Sequence, residues 1–450
     1  MAFFYKGIKL PKSMDTPMLL ETPLPQRVIL PLKQYVGDLA NPAVQVGDKV
    51  KAGQLIATAD TENSLPLYAT ISGEVTDISE RLDHSGKSIS SVIIESDSSD
   101  TWIESTAEKT DVSSLDTYEI LKSIHKAGLV IKGLVPMPLG RDLVLIDRPK
   151  TLLPLTGKEI VKKIDTIIIA GLDTEPSLLA NRYLASIDHD DLADGIASLK
   201  AITGAKKTVF VVDKYYTLSS QITGMLTAYE DEVVRIIKLD VSRYPIGLPI
   251  PMIKAVLGRE VPLPYGHPRD VGVVIYDIDS VLSIGKSVRK QLPQTESLIT
   301  VGGNALPQHG VVKIRIGLEI GELIESLGGF IQDPAKIILG GPMMGVAQYD
   351  LSVPITKDIT GLFALTYDEI QLVGDYRECI NCGLCVKVCP VNLVPGALSM
   401  YCAKKLFEVA EKNDLFNCIE CGCCDYVCPS QRPLVHLFRY AKHQLMEGSQ

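Results

Sequence analysis

The chain has 450 residues and a formal net charge of −9. Its length leaves room for several domains with separate cores. The acidic balance argues against a nucleic-acid-binding surface, which needs a basic footprint. No apolar run is long enough to cross a bilayer, so we expect any membrane association to depend on partners. All 10 cysteines follow residue 378, and no secretory signal is visible, so we expect a reducing compartment.

Residues 1–95 begin with a proline-rich stretch, for which we expect an extended conformation. From Val44 onward, apolar residues alternate with polar ones and are interrupted by Gly-Asp and Ser-Gly pairs. This pattern indicates short strands joined by tight turns. It resembles a barrel-sandwich hybrid of the biotinyl or lipoyl type. Residues 65–70 lack the lysine that carries the prosthetic group in true carriers, so we predict a scaffold. A polar linker follows over residues 95–116.

Residues 117–245 alternate between helical and strand patterns. Helices are predicted over 118–127, 178–186 and 191–202, and β-branched strands over 165–171, 208–212 and 233–239. This alternation predicts a Rossmann-like α/β domain. The many prolines and glycines between Pro245 and Pro268 indicate a long connection.

Residues 270–350 predict a small β-grasp-like domain. Strands are predicted over 271–276, 298–303, 311–317 and 337–340, with a helix over 320–327. The Gly340-Gly341-Pro342 turn allows close approach of a ligand, but a purely structural turn is the more common role of such a sequence.

Residues 370–450 contain two runs with the spacing C-x2-C-x2-C-x3-C-P. This spacing lets thiolates hold [4Fe-4S] clusters, with the fourth cysteine of each run reaching the other cluster. Zinc and disulfides are weaker alternatives, because zinc does not require a third cysteine at this interval and disulfides need an oxidising compartment. One predicted cluster is held by Cys379, Cys382, Cys385 and Cys428. The other is held by Cys418, Cys421, Cys424 and Cys389. Cys402 and Cys423 fit neither run, and we expect them in the core or a loop.

Helical spacing between and after the runs completes an α-helical ferredoxin-type module, with one helix between the cysteine loops and another over 434–445. Arg439, Lys442 and His443 on the last helix have the charge to face an anionic cluster, although a solvated face is the more common role of such residues.

Several stretches together resemble the RnfC family, whose members are components of membrane ion-pumping ferredoxin oxidoreductases. They are residues 46–53 (VGDKVKAG), 258–262 (GREVP), 333–345 (DPAKIILGGPMMG), both cysteine runs and residues 428–442. The similarity follows the family's domain order along nearly the whole chain.

The resemblance implies a peripheral subunit on the cytoplasmic side of the cell membrane, docked on membrane-embedded Rnf-type subunits. It also implies a domain similar to the flavin- and NADH-binding subunit of respiratory complex I, an SLBB-like β-grasp domain and two [4Fe-4S] clusters. The family's complex couples electron transfer with ferredoxin, as donor or acceptor, to sodium or proton translocation.

One stretch departs from the family. The family's glycine-rich flavin loop, close to GLGGAGFPT, corresponds in this chain to residues 127–140, which read AGLVIKGLVPMPLG. Ile131, Lys132, Leu134, Val135, Pro136 and Pro138 replace residues whose exposed N–H groups would bind phosphate. We therefore expect FMN and NADH to be absent, and we expect no catalytic residues. The leading hypothesis is an electron relay, and the alternatives are an NADH-oxidising flavoprotein and a docking scaffold with structural clusters.

Overall fold

The computed structural model describes residues 6–10, 17–61, 63–104, 111–132, 136–147, 163–228, 233–370 and 377–447. The chain is a mixed α/β protein with a helical C-terminal part, which confirms the predicted fold class. Parts of the N-terminal stretch, the linker and the flavin-loop segment (residues 1–5, 11–16, 105–110 and 133–135) lie outside the described residues.

The N-terminal part is a sandwich of two small antiparallel sheets, with strand orders β3-β9-β8-β5 and β4-β6-β7. Val28, Ile56 and Ile94 are fully buried between the sheets, as the apolar alternation predicts. The first two strands of the chain pair with strands of later domains. The strands are β1 (Ile8–Lys9), β2 (Leu19–Leu20), β3 (Arg27–Pro31), β4 (Asn41–Pro42), β5 (Lys49–Val50), β6 (Leu55–Thr58), β7 (Leu67–Tyr68), β8 (Gly73–Leu82) and β9 (Ser88–Ser96).

A helical hairpin leads into the α/β domain. Helix α1 (Thr117–Lys126) begins with a capping box, in which Asp116 and Glu119 each accept the other's backbone N–H. It ends before Gly128, whose φ of +68° favours glycine. Strands β10 (Val130–Ile131) and β11 (Met137–Pro138) and helix α2 (Leu139–Asp147) follow.

The α/β domain is built on a parallel sheet of order β14-β13-β12-β16. The six residues of β12 are all buried, since helices cover both faces of a parallel sheet. In chain order the elements are β12 (Thr166–Gly171), α3 (Ala180–Ser186), α4 (Leu192–Thr203), β13 (Lys207–Asp213), α5 (Ser220–Ala228), β14 (Val233–Leu239), β15 (Arg243–Tyr244), α6 (Pro249–Leu257), β16 (Val273–Asp277) and α7 (Ile278–Lys290).

Two features of this domain differ from the sequence prediction. The expected long connection after Pro245 contains α6, which begins at Pro249. Proline is tolerated in the first turn of a helix because that N–H has no intrahelical partner. In addition, β16 pairs in parallel with β12, so the Rossmann-like sheet includes a strand that the sequence analysis places with the β-grasp-like domain.

The next domain is a six-stranded mixed sheet of order β2-β18-β17-β21-β19-β20, packed against one helix. It incorporates β2 from the N-terminal part and extends past residue 350 to β21. Its elements are β17 (Glu296–Gly302), β18 (Gly310–Arg315), α8 (Ile320–Ser326), β19 (Lys336–Leu339), β20 (Val346–Gln348) and β21 (Gly361–Leu365).

The C-terminal part is helical, with a core around Leu398, Cys402, Ala410 and Phe438. The helices are α9 (Leu384–Val388), α10 (Pro395–Ala403), α11 (Phe407–Lys412), α12 (Cys423–Tyr426) and α13 (Leu434–Glu447). The single helix expected between the cysteine loops is thus two helices. Within the described ranges, no helix is long and apolar enough to cross a membrane.

Candidate metal and cofactor site

The two cysteine runs fold into the same backbone shape. Asn381 and Glu420 occupy the same position in their runs and have φ of 55° and 56°. Gly383 and Gly422 follow them, also in the left-handed region, and a short helix begins directly afterwards. A positive φ at glutamate is uncommon and is retained only where the surroundings require it. The same conformation at both positions is expected if the two loops wrap around bound groups of the same kind.

The second run meets the last cysteine of the first run. Cys389, Cys418, Cys421 and Cys424 line one small cavity. Two backbone N–H groups point at these sulfurs: that of Leu393 lies 3.3 Å from Cys389 Sγ, and that of Glu420 lies 3.4 Å from Cys418 Sγ. Such donors stabilise sulfur-bound negative charge and tune cluster potentials.

The chemistry of these four cysteines fits that of ligands to an iron–sulfur cluster. Burial raises the pKa of the Cys418 thiol to about 12 and also raises that of Cys389. A buried thiolate therefore needs a cation in place of its proton, which iron supplies. No three Cys, His, Asp or Glu side chains of the described residues converge closely enough for a single ion. A cubane with four iron corners holds its thiolates further apart than one zinc ion does.

The other group lies closer to the surface. Cys379 and Cys385 approach the first turn of α10, where their sulfurs are each 3.7 Å from the position that a β-carbon on Gly396 would take. Cys382 is exposed. Cys428 is half-buried and packs against the same apolar core as Cys385.

The remaining two cysteines are also buried, and Cys423 lines the same small cavity as the four cysteines of the second group. Cys402 is 1% exposed in the helical core. Cys423 is fully buried beside the second loop, and its Sγ lies 4.0 Å from the carbonyl oxygen of Tyr244. No disulfide joins any of the ten cysteines, all of which lie among the described residues.

A cavity of about 750 Å³ lies beside the second cysteine loop. Its volume falls in the range of about 300–1,000 Å³ that small-molecule and cofactor sites occupy. The walls come from the carboxyl ends of β12 and β16, the start of α6, the 340–346 turn, and Ile419, Glu420 and Arg439 of the helical part. Ligands of parallel α/β sheets bind at this edge.

Glu175 joins two of these walls, the loop after β12 and the 340–346 turn. Its buried carboxylate accepts the N–H groups of Met343 at 2.7 Å and Met344 at 3.1 Å. Burial raises its pKa to about 7 despite these two donors. A β-carbon on Gly341 would lie 2.2 Å from the carboxylate, so glycine is required for this contact. The loop that carries Glu175 is held by buried Arg182, whose Nε lies 3.1 Å from Asp173 Oδ2.

Two further polar side chains that are buried line the cavity, those of Lys132 and Tyr276. Lys132 Nζ lies 2.6 Å from Asp279 Oδ2 and 2.9 Å from Ser297 Oγ. Although burial opposes the ammonium charge, nearby carboxylates raise the pKa of Lys132. The buried hydroxyl of Tyr276 donates to Asp142 Oδ2.

A chain of polar contacts connects the cavity to the second cysteine loop. Arg439 donates to Glu420 at 2.9 Å and to the Met344 carbonyl at 3.0 Å. Lys442 donates to Glu420 and to the Cys418 carbonyl, each at 2.8 Å. Two of the three basic residues of α13 that the sequence left between two roles, Arg439 and Lys442, therefore hold the cysteine loop.

The fold and the paired cysteine loops define an iron–sulfur electron-transfer protein with a cofactor-sized cavity. Models of four families match in order: the RnfC barrel sandwich hybrid domain over residues 3–99, the Nuo51 FMN-binding domain over 154–286, the SLBB domain over 298–347 and the 4Fe-4S binding domain over 372–394. The chain belongs to the RnfC family, as the sequence resemblance predicted.

Curated relatives match over most of the chain. The corresponding subunit of the proton-translocating ferredoxin:NAD(+) oxidoreductase complex of Clostridium ljungdahlii is 34% identical, over 94% of this chain and 89% of its own length. The Na(+)-translocating counterpart of Acetobacterium woodii is 32% identical, over 94% and 91%. The corresponding subunit of the ion-translocating oxidoreductase complex of Pectobacterium carotovorum is 32% identical, over 96% of this chain and 56% of its own length.

The prediction that FMN and NADH are absent is wrong, because the matched FMN-binding domain spans residues 154–286. The prediction depended on residues 127–140, which precede the matched domain, and Leu134 and Val135 of that loop lie outside the described residues. The neighbouring Ile131, Lys132 and Pro136 form one wall of the cavity and leave it open. The bulky side chains of this loop therefore do not fill the cavity.

The sequence identified the cysteines but not the cavity. The sequence analysis names neither Asp173 nor Glu175 as a site residue, and it favours a structural role for the Gly340-Gly341-Pro342 turn. The structure brings this turn onto Glu175 at the edge of the cavity. Carboxylate residues that directly follow a predicted buried strand, as Asp173 and Glu175 follow β12, are a signal that could have indicated the site, because ligands of parallel sheets bind at the carboxyl ends of the strands.

Proposed function

We propose that this chain is an electron-relay subunit in which two [4Fe-4S] clusters conduct single electrons between the large cavity and a protein partner. The inner cluster is held by Cys389, Cys418, Cys421 and Cys424. The outer cluster is held by Cys379, Cys382, Cys385 and Cys428. The proposal depends on one observation: the inner cysteine loop forms part of the wall of both cavities. Its Ile419 and Glu420 line the large cavity, and the adjacent Cys421 lines the small cavity between the cysteines.

The cavity fits the flavin that the matched domain implies. It has the volume of a cofactor site and lies at the edge of the parallel sheet where ligands of such folds bind. The Lys132 and Arg439 side chains of its wall are paired with Asp279 and Glu420. FMN, when bound, exchanges electrons in pairs or singly. The residues that line the cavity would hold it beside the inner cysteine loop, whose Ile419 and Glu420 form part of the wall.

The relatives' names extend this proposal to a complex. They describe components of ferredoxin:NAD(+) oxidoreductases that translocate protons or sodium ions. We propose that this chain serves such a complex as a peripheral subunit on the cytoplasmic side of the membrane. Its partners are then other Rnf-type subunits, including membrane-embedded ones, with ferredoxin as electron donor or acceptor.

Cluster content and ligand exchange test the relay. Anaerobically reconstituted protein should hold about eight iron atoms and about eight sulfides per chain. Cys389→Ser should damage the cluster held by Cys418, Cys421 and Cys424, because serine replaces its fourth thiolate. Iron analysis and electron paramagnetic resonance measure the outcome, with Cys402→Ser as the matched control for a buried thiol.

Two results would contradict the proposal. If Cys389→Ser removed the signal of the cluster held by Cys379, Cys382 and Cys385, the ligand assignment would be wrong. If both clusters assembled but could not be reduced reversibly, the chain would be a scaffold with structural clusters.

A further inference from the structure

Glu420 lies in the inner cysteine loop (residues 418–424) at a position whose backbone does not favour glutamate. Its φ of 56° is in the left-handed region, which residues with a β-carbon adopt at a cost and which asparagine adopts more readily than most. At the matching position of the outer cysteine loop (residues 379–385), where φ is 55°, the chain has Asn381. The contacts of the glutamate side chain therefore distinguish the inner loop from the outer one.

The Glu420 carboxylate holds two cations beside the inner loop. Arg439 Nε donates to Glu420 Oε2 at 2.9 Å, and Lys442 Nζ donates to Glu420 Oε1 at 2.8 Å. The exposed fractions of the three side chains are 20% for Glu420, 37% for Arg439 and 12% for Lys442. Because partly buried charges are less screened by water and salt, they act on a neighbouring site more strongly than a surface ion pair does.

Each of the two cations also has an anchor on the backbone. Lys442 donates to the Cys418 carbonyl oxygen at 2.8 Å, and Arg439 donates to the Met344 carbonyl oxygen at 3.0 Å. These bonds do not involve the carboxylate, so both cations should stay beside the loop if Glu420 lost its charge. Removing that charge would then leave two positive charges at this side of the loop without their negative partner.

Glu420 is also next to the sulfur ligands of the proposed inner cluster. It lies between Cys418 and Cys421 in the chain, and its backbone N–H points at Cys418 Sγ from 3.4 Å. Net charge, hydrogen bonds to sulfur and solvent exposure set the reduction potential of a cluster. Because reduction adds one negative charge, a neighbouring carboxylate disfavours it and a neighbouring cation favours it.

We propose that Glu420 is a positioning residue that tunes the inner cluster: its carboxylate fixes Arg439 and Lys442 against the loop and keeps the reduction potential below the value that these two cations alone would set. This inference rests on the proposed relay. Glu420 and Arg439 also line the large cavity, so the same charges border both the proposed cofactor site and the inner loop.

Redox titration of the full chain loaded with clusters, followed by electron paramagnetic resonance, tests this role. The signal that Cys389→Ser removes identifies the inner cluster. Glu420→Gln should favour its reduction about tenfold, which is about 59 mV for a one-electron couple, because a negative charge is lost while both cations stay. Lys442→Met should lower the potential, since it removes a cation. Asn381→Asp is the matched control, which should lower the potential of the outer cluster and leave the inner one unchanged.

Iron content separates tuning from damage to the loop, since a purely structural role would change iron retention without moving the potential. If Glu420→Gln loses iron, Glu420→Asn replaces it, because asparagine suits the left-handed backbone. An unchanged or lower potential of the inner cluster in the loaded Glu420 variant would overturn the proposal, as would an unchanged potential in Lys442→Met. Missing clusters in the wild-type chain would instead refute the proposed relay.

Discussion

Glu175 connects the α/β domain to the SLBB domain at the edge of the cavity. Its carboxylate is 2% exposed, and it accepts hydrogen bonds from the backbone N–H groups of Met343 and Met344. Those residues also touch the inner cysteine loop and Arg439. The Glu175 side chain therefore helps to fix the position of the inner cysteine loop beside the cavity.

The protonation of Glu175 should make stability depend on pH. Its pKa rises from 4.5 to about 7 in the folded protein, so the folded state binds more protons than the unfolded state between these values. The free energy of unfolding should then fall as pH rises through this interval, by on the order of 3 kcal/mol at about 1.4 kcal/mol per unit.

Glu175→Gln should remove most of this slope, because glutamine does not titrate and keeps one acceptor for the two N–H groups. Thermal unfolding followed by circular dichroism between pH 5 and pH 8 measures the effect. Glu74→Gln on β8, where the carboxylate is exposed, is the control. Parallel curves for wild type and Glu175→Gln would show that Glu175 does not carry the dependence.

At the scale of elements, the two cysteine loops form a pair with the same shape and different surroundings. Gly383 and Gly422 have φ of +72° and +76° at the same position of each loop. Among the described residues, no atom lies within 4 Å of a β-carbon built on Gly383, whereas the Met343 carbonyl oxygen lies 3.0 Å from one on Gly422. Alanine substitutions at these two positions therefore distinguish the free-energy cost of a left-handed backbone from the cost of a steric clash.

Gly383→Ala should therefore destabilise the protein by about 1–2 kcal/mol, the cost of left-handed backbone for a residue with a β-carbon. Gly422→Ala should cost more, since a backbone oxygen must also move, and it should weaken retention of the inner cluster selectively. Thermal unfolding and iron content after gel filtration measure both effects. Equal losses in the two variants would show that the Met343 contact does not constrain the loop.

At the scale of the whole molecule, the cavity is formed jointly by several parts of the chain. His84 comes from the N-terminal part, Tyr276 from the α/β domain, Val346 from the SLBB domain and Arg439 from the last helix. β1 and β2 also cross into later sheets. These connections bring the cavity and the proposed inner cluster loop together within one chain.

The whole chain should behave as a peripheral protein. As the peripheral subunit proposed above, it should be attached through contacts with other proteins of the complex. Carbonate or high-salt washing of membranes should release the chain, as detected by immunoblotting of the two fractions. Retention in the pellet, alongside a membrane-embedded protein as control, would contradict this expectation.

Local patterns in the sequence predicted the types of the main elements. The spacing of the cysteines predicted two cluster loops, and β-branched runs predicted β12 and β13, because these signals act between residues close along the chain. Helix α6 was missed because its prolines resemble those of a loop, although the first turn of a helix accepts them.

The sequence by itself determined the family, the order of the domains and the cysteines that can hold clusters. Only the tertiary structure decided the cavity, the contact of Glu175 with the Met343–Met344 backbone and the difference in exposure between the two cysteine loops. Glu175 and Met343 are 168 residues apart. Contacts over such separations follow from how the domains pack, which no local spacing in the sequence encodes.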